Sequence, residues 1–376
     1  MQAMATAEET LIEGNSLGER LRARIARDGP ISFHDWMAAA LYDPIAGYYC
    51  RAEGVRWGRE GDYRTAPEVS PLFAATFARY FAKLFVEMGS PRLWTIMEVG
   101  AGSGKFARGV MESLAAQHSS TFAATRYLID EVNSASRAEI AKRLFHFRER
   151  IDFCPIDQIA KPIEGVIFSN ELLDAFPVHR IVLRDGDWRE LFVGLSEAGK
   201  FAWIENQLKH EHVADYVESL DRSFSEGQII EVNLDAEDWI ARASGALERG
   251  FVISVDYGAE REDLFGAPER HKGTLRAFRR HGFVDDILAD PGEQDLTTTV
   301  DWSRIRKAGE RVGLQATRLE RLDEFLLSEG LLDELERLAQ EQKNEVETLR
   351  LSTSAREMIM PQGMASAFHV LVQEKR

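Results

Sequence analysis

Two hydrophobic periods alternate along most of this chain. Apolar runs rich in strand formers recur at 94–97, 126–131, 151–153, 166–169, 250–258, 314–319 and 367–372. Between them, stretches such as 105–114, 135–147, 235–250 and 303–308 carry apolar residues three and four apart, the spacing of a helix with one buried face. Strand and helix in alternation predict an α/β fold with an open, doubly wound sheet. Two stretches depart from the rhythm. From 178 to about 228 the period is two, and Asp185-Gly186 marks a tight hairpin, so an antiparallel β insertion is expected. From about 320 to 362 a charged helical insertion is expected, its charge runs forming a solvated face.

The first ninety residues read differently. Leu17–Ala26 has helical spacing and is broken by Gly29-Pro30; Ser32 caps a second helix through Leu41. Thr65 can cap a third, with Pro67 in its first turn and Phe77, Tyr80, Phe81 and Phe85 as its apolar stripe. Residues 1–90 therefore read as a helical N-terminal cap, and 91–376 as the sheet domain with its two insertions.

The chemistry centres on Glu98-Val99-Gly100-Ala101-Gly102-Ser103-Gly104, which follows the first apolar strand and opens a helix. Such glycines let the backbone turn sharply and approach a ligand, and a helix start offers N–H groups to it. The spacing is not that of a dinucleotide fingerprint, and no Gly-Lys-Ser/Thr follows to cradle phosphate. Glu98 would repel a pyrophosphate but attract an ammonium, which favours S-adenosylmethionine over a dinucleotide. After the second strand come Asp130 and Glu131; an acid here takes ribose hydroxyls, and Glu131 is the preferred one. The fourth strand runs into Asn170-Glu171-Leu172-Leu173-Asp174. Its amide and two carboxylates should border the pocket, where paired acceptors suit a guanidinium or one acid serves as a general base. A fifth strand is expected to end at Asp256 in a tight turn.

Composition narrows the partners. The 376 residues carry a formal charge of −16, against non-specific binding of nucleic acid or an anionic membrane. The two cysteines make no metal-ligand spacing and no disulfide framework, and no metal is signalled. The acidic N-terminus lacks signal-peptide features, and no stretch is apolar enough to cross a bilayer. A cytoplasmic protein is the expectation.

Taken together, Asp43-Pro44 with Gly47-Tyr48-Tyr49, Gly61-Asp62-Tyr63, Thr65-Ala66-Pro67-Glu68, the Glu98–Gly104 stretch, Asn170–Val178, Asp256-Tyr257-Gly258, Gly273-Thr274-Leu275-Arg276 and Asp290-Pro291-Gly292 resemble the MidA-like S-adenosylmethionine-dependent methyltransferases. Mitochondrial members of that family act in respiratory complex I assembly. The resemblance implies a Rossmann-like class I methyltransferase sheet and S-adenosyl-L-methionine as donor. It places Glu98, Gly100, Ala101, Gly102, Gly104 and Glu131 in donor binding, with Thr65, Pro67 and Asn170 beside them. It turns Glu171, Asp174 and Asn170 toward a protein arginine, in the symmetric dimethylating manner. A protein substrate is implied, with a complex I subunit as its candidate; homodimerisation stays open. This chain departs from its relatives at Asp130 and Asn133. Rival expectations are a different methyl acceptor, a methyltransferase fold serving as a binding or assembly factor, and, last, a nicotinamide-dependent oxidoreductase.

Overall fold

The computed structural model describes residues 16–51, 70–220, 222–279, 282–342, 344–360 and 364–376. The chain divides into two units. One comprises Met1–Gly54, Ala175–Asp235 and Glu262–Thr298; the other comprises Val55–Asp174, Ala236–Arg261 and Thr299–Arg376.

The second unit is built on strands β1 (Trp94–Val99), β2 (Thr125–Asp130), β3 (Ile151–Phe153), β4 (Ile163–Asn170), β5 (Leu247–Ala259), β6 (Val300–Asp301), β7 (Gln315–Arg321) and β8 (Phe368–Lys375). The sheet runs β7-β8-β5-β4-β1-β2-β3, with β6 against β5. Its pairings from β3 across to β5, and β5 with β6, are parallel, whereas β8 is antiparallel to both β5 and β7. All six residues of β1 are buried, as expected of a central parallel strand covered on both faces. Chain order reverses between β1 and β4. Open sheets of this kind bind ligands beyond the strand ends at such a reversal.

Three helices matter for the site: α1 (Pro71–Glu87), α2 (Lys105–Gln117) and α3 (Ser134–Arg143). Ser70 caps α1 by accepting the Leu72 N–H, and Pro71 occupies the first turn, where its missing N–H costs nothing. The α1 stripe packs as a cluster of rings. Phe77 lies 5.1 Å from Phe168 on β4, and Phe106 on α2 stacks on Phe168 at 4.4 Å. Each such burial contributes roughly 1.5–3 kcal/mol. Helices Leu322–Ser328, Leu331–Glu341 and Glu345–Ile359 also belong to this unit. Arg337 pairs with Glu334 and Glu341 along one of them.

The first unit holds an antiparallel sheet in the order Ile31–Ser32, Asp187–Leu195, His179–Arg184, Ile229–Val232, with Phe201–Gln207 against Asp187–Leu195. The hairpin falls at Asp185-Gly186, with φ of 52° and 87°, a turn whose twist matches that of its strands. A smaller sheet joins Gly282–Phe283, Arg276–Arg279 and Asp295–Thr297. Glu231 accepts from Arg180 Nε at 3.1 Å and from the Thr274 N–H at 2.8 Å, which ties Gly273-Thr274 to the strand. Helices Leu17–Asp28 and Phe33–Tyr42 belong to this unit, whereas Pro71–Glu87 belongs to the other. The helices read as one N-terminal cap are thus shared between the two.

Candidate active site

The site is assembled in the second unit from the carboxyl ends of β1, β2, β4 and β5. Beyond Val99 the chain turns through Gly100, Gly102 and Gly104, at φ of 76°, 55° and 73°. A side chain at such angles is strained, and at Gly104 it would also collide, since a Cβ there would stand 2.9 Å from Ile140 Cγ1 of α3. Gly104 precedes α2 without a capping side chain, and Ala101 is buried beneath the turn.

Glu131 is the carboxylate that meets this turn. Its Oε2 accepts the Gly102 N–H at 2.9 Å and its Oε1 the Asn133 N–H at 2.9 Å. Asp130 turns away: its Oδ2 accepts the Ile156 N–H at 2.8 Å, and burial raises its carboxyl above the ordinary range. Asn133 caps α3 by accepting the Ser136 N–H at 2.9 Å.

Glu98 lies deeper. It is 4% exposed and accepts the Tyr127 hydroxyl at 2.7 Å. Burial pushes its carboxyl up to about 8, opposed by the Tyr127 bond and assisted by the charge of Glu131. Two acids thus flank one glycine turn, one taking backbone N–H groups and one buried in a protonated state. A ligand with an ammonium and a sulfonium would favour ionisation of the buried one. The bare glycine turn and these acids fit an S-adenosyl donor; a pyrophosphate would meet like charge.

At the end of β4, Glu171 donates its N–H to Val255 O at 2.9 Å and adopts φ 52°, a left-handed conformation uncommon outside glycine. Asn170 Nδ2 donates to Glu171 Oε1 at 3.0 Å. Both are half-buried, whereas Asp174 is 2% exposed. Asp256, expected only as the acid at the end of the fifth strand, lies against this turn. Its Oδ2 accepts N–H groups of Leu172, Leu173 and Asp174 at 3.1, 2.8 and 3.3 Å. β5 does not turn at Asp256 as expected; it continues to Ala259, because β6 and β8 pair with its final residues. The acid turn also borders the glycine turn, since a Cβ on Gly100 would touch Leu172 Cδ1 at 3.4 Å. The structure therefore brings Glu98, Gly100–Gly104, Glu131, Asn170 and Glu171 to one sheet end. Thr65 and Pro67 lie outside the described residues. Tyr127, Glu98's partner, had no signal beyond its place on an apolar strand.

The model of a family of S-adenosyl-L-methionine-dependent methyltransferases matches residues 76–319. The chain is 28% identical over 326 residues to the Drosophila melanogaster "Protein arginine methyltransferase NDUFAF7 homolog, mitochondrial", covering 79% of this chain and 71% of that protein. It is 24% identical over 323 residues to the Homo sapiens "Protein arginine methyltransferase NDUFAF7, mitochondrial", covering 76% and 67%. A Burkholderia thailandensis crystal structure bound to S-adenosyl-homocysteine superposes with a TM-score of 0.84 at 30% identity, covering 96% of this chain and 92% of that one.

Proposed function

We propose that this chain, which belongs to the MidA-like family of S-adenosyl-L-methionine-dependent methyltransferases, methylates an arginine side chain of a protein. The fold is the Rossmann-like methyltransferase sheet, and S-adenosyl-L-methionine is the methyl donor. When bound, the donor supplies an electrophilic methyl on a sulfonium. Gly100, Gly102 and Gly104 would hold it by close backbone approach, Glu131 would take its ribose, and Glu98 would answer its cationic amino-acid end.

The remaining work belongs to Glu171 and its neighbours. A guanidinium attacks only if one nitrogen is held in line at about 3 Å with its lone pair free. The observation that carries the reading is the half-buried Glu171 carboxylate, steadied by the Asn170 amide and set on a turn that borders the glycine turn. A carboxylate there would neutralise the guanidinium and draw its positive charge onto the nitrogens it pairs with, away from the one that attacks, and Asp174 would second it from the same turn. The arginine acceptor is supported by the names of the relatives, and the symmetric dimethyl product by the family resemblance alone. That resemblance also supports a complex I subunit as the protein substrate.

Glu171→Gln is the test. It should leave S-adenosylhomocysteine affinity within about threefold by calorimetry and lower methyl transfer by on the order of 100-fold or more. Mass spectrometry of proteins from cells with and without the gene should show methyl-arginine lost at defined sites. Unchanged turnover in Glu171→Gln would refute the clamp, and loss of methyl from another residue type would refute the arginine acceptor.

A further inference from the structure

The fold spends an unusual amount of polar chemistry on a side chain with no route to solvent. Asp256 is 1% exposed. Its Oδ2 gathers three successive N–H groups, of Leu172, Leu173 and Asp174, and its Oδ1 accepts its own neighbour's, Tyr257, at 2.8 Å. The donors that reach it are backbone N–H groups. A buried carboxylate without a cation is costly unless N–H dipoles replace water around it, and successive N–H groups curled around one oxygen form an anion-holding nest. Here the group in the nest is the protein's own carboxyl.

The nest belongs to the turn that carries Glu171. That residue stands in the left-handed region, at a cost of roughly 1–2 kcal/mol for a residue with a Cβ. With β4 pinned to β5 through the Glu171 N–H on Val255 O, the backbone must reverse at once to bring Leu172, Leu173 and Asp174 over Asp256. On the turn so formed, the Asn170 amide reaches the Glu171 carboxylate. Burial, and then the like charge of Glu171, push the Asp256 carboxyl up, while the N–H donors hold it down.

We propose that Asp256 is a positioning residue: by filling the nest of Leu172, Leu173 and Asp174 it fixes the turn on which the Glu171 carboxylate is presented. The proposal rests on the reading of Glu171 as the residue that faces the acceptor. Asp256→Ala empties the nest, and Asp256→Asn keeps an oxygen that can accept from it.

The experiment combines three measurements on the full chain. Hydrogen exchange follows the peptide spanning residues 171–174, calorimetry follows S-adenosylhomocysteine, and transfer of labelled methyl is read into an extract of cells lacking this protein. In Asp256→Ala the peptide should exchange at least tenfold faster, S-adenosylhomocysteine affinity should stay within about threefold, and transfer should fall at least 30-fold. Asp256→Asn should restore part of both the protection and the transfer, a rescue that a side chain needed only for bulk would not show. Unchanged exchange in both variants would overturn the proposal. So would a freed turn with undiminished transfer, or loss of donor affinity in step with transfer. If Glu171→Gln transfers normally while Asp256→Ala frees the turn and does not transfer, the Glu171 reading fails and the turn's dependence on Asp256 stands.

Discussion

Donor binding should be linked to the ionisation of Glu98, and the linkage can be sized. In the free protein, burial holds this carboxyl at about 8, so it carries a proton at neutral pH. If only the ionised form answers the donor's cationic end, apparent affinity scales with the ionised fraction. That fraction is about 1% at pH 6 and about a quarter at pH 7.5, a gain of roughly twenty-fold, or about 1.8 kcal/mol. Above pH 7.5 the ligand's own α-amino group begins to lose its charge, which confines the useful window to pH 6–7.5. The assay is calorimetry with S-adenosylhomocysteine and with S-adenosylmethionine in buffers of different ionisation enthalpy, which also counts the proton released. Glu98→Gln keeps the shape and the Tyr127 contact but has nothing to ionise, so its affinity should be flat across the window. The same shift has a consequence for stability. The unfolded chain ionises Glu98 from about pH 4.5 upward while the folded one keeps its proton. Stability without ligand should therefore fall as pH rises from about 4.5 to 8 and level off beyond. The substitution should remove that slope. An affinity independent of pH in the wild type, or an equal slope in Glu98→Gln, would refute the linkage.

Other expectations follow from single contacts. Gly104→Ala meets Ile140 Cγ1 at 2.9 Å with φ at 73°, so it should cost about 1–3 kcal/mol in denaturant titration and weaken S-adenosylhomocysteine at least tenfold; an unchanged midpoint and affinity would refute the cradle. Glu131→Ala removes an acceptor of two backbone N–H groups and should weaken the same ligand by roughly ten- to a hundred-fold, whereas Asp130→Asn should leave it nearly unchanged. His34 donates toward Asp235 at 3.0 Å, and that bond above all raises it to about 9. Its contribution, roughly 1–2 kcal/mol after solvent screening, should be complete below about pH 6.5 and lost as pH rises through 9. Asp235→Asn should flatten this part of the stability profile and lower the His34 pKa seen by NMR.

Much of this was legible in the residues, for reasons that can be named. The central strands β1 and β4 are buried along 94–97 and 166–169, so those stretches read as largely apolar runs whose type and order survive into the fold. The glycine turn was legible because positive φ at Gly100, Gly102 and Gly104 demands the residue itself, and Asp185-Gly186 marked its hairpin in the same way. What could not be read depends on contacts far apart in sequence. Asp256 lies 82 to 84 residues from the three N–H groups of the turn that it accepts, and its place at a strand end does not tell which distant backbone it will hold. Glu98 and Tyr127 meet only because β1 and β2 are in register. The division of the first ninety residues between two units depends on which sheet each helix packs against, which helical spacing alone does not record.

The central claim is that an S-adenosyl ligand lies over the turn that begins at Gly100. A crystal structure of this chain with S-adenosylhomocysteine tests it most directly. The account predicts the ribose hydroxyls on the Glu131 carboxylate and the amino-acid end toward Glu98. A ligand bound away from residues 98–104, or one whose ribose is held by Asp130 with Glu131 still closed on the Gly102 N–H, would contradict it.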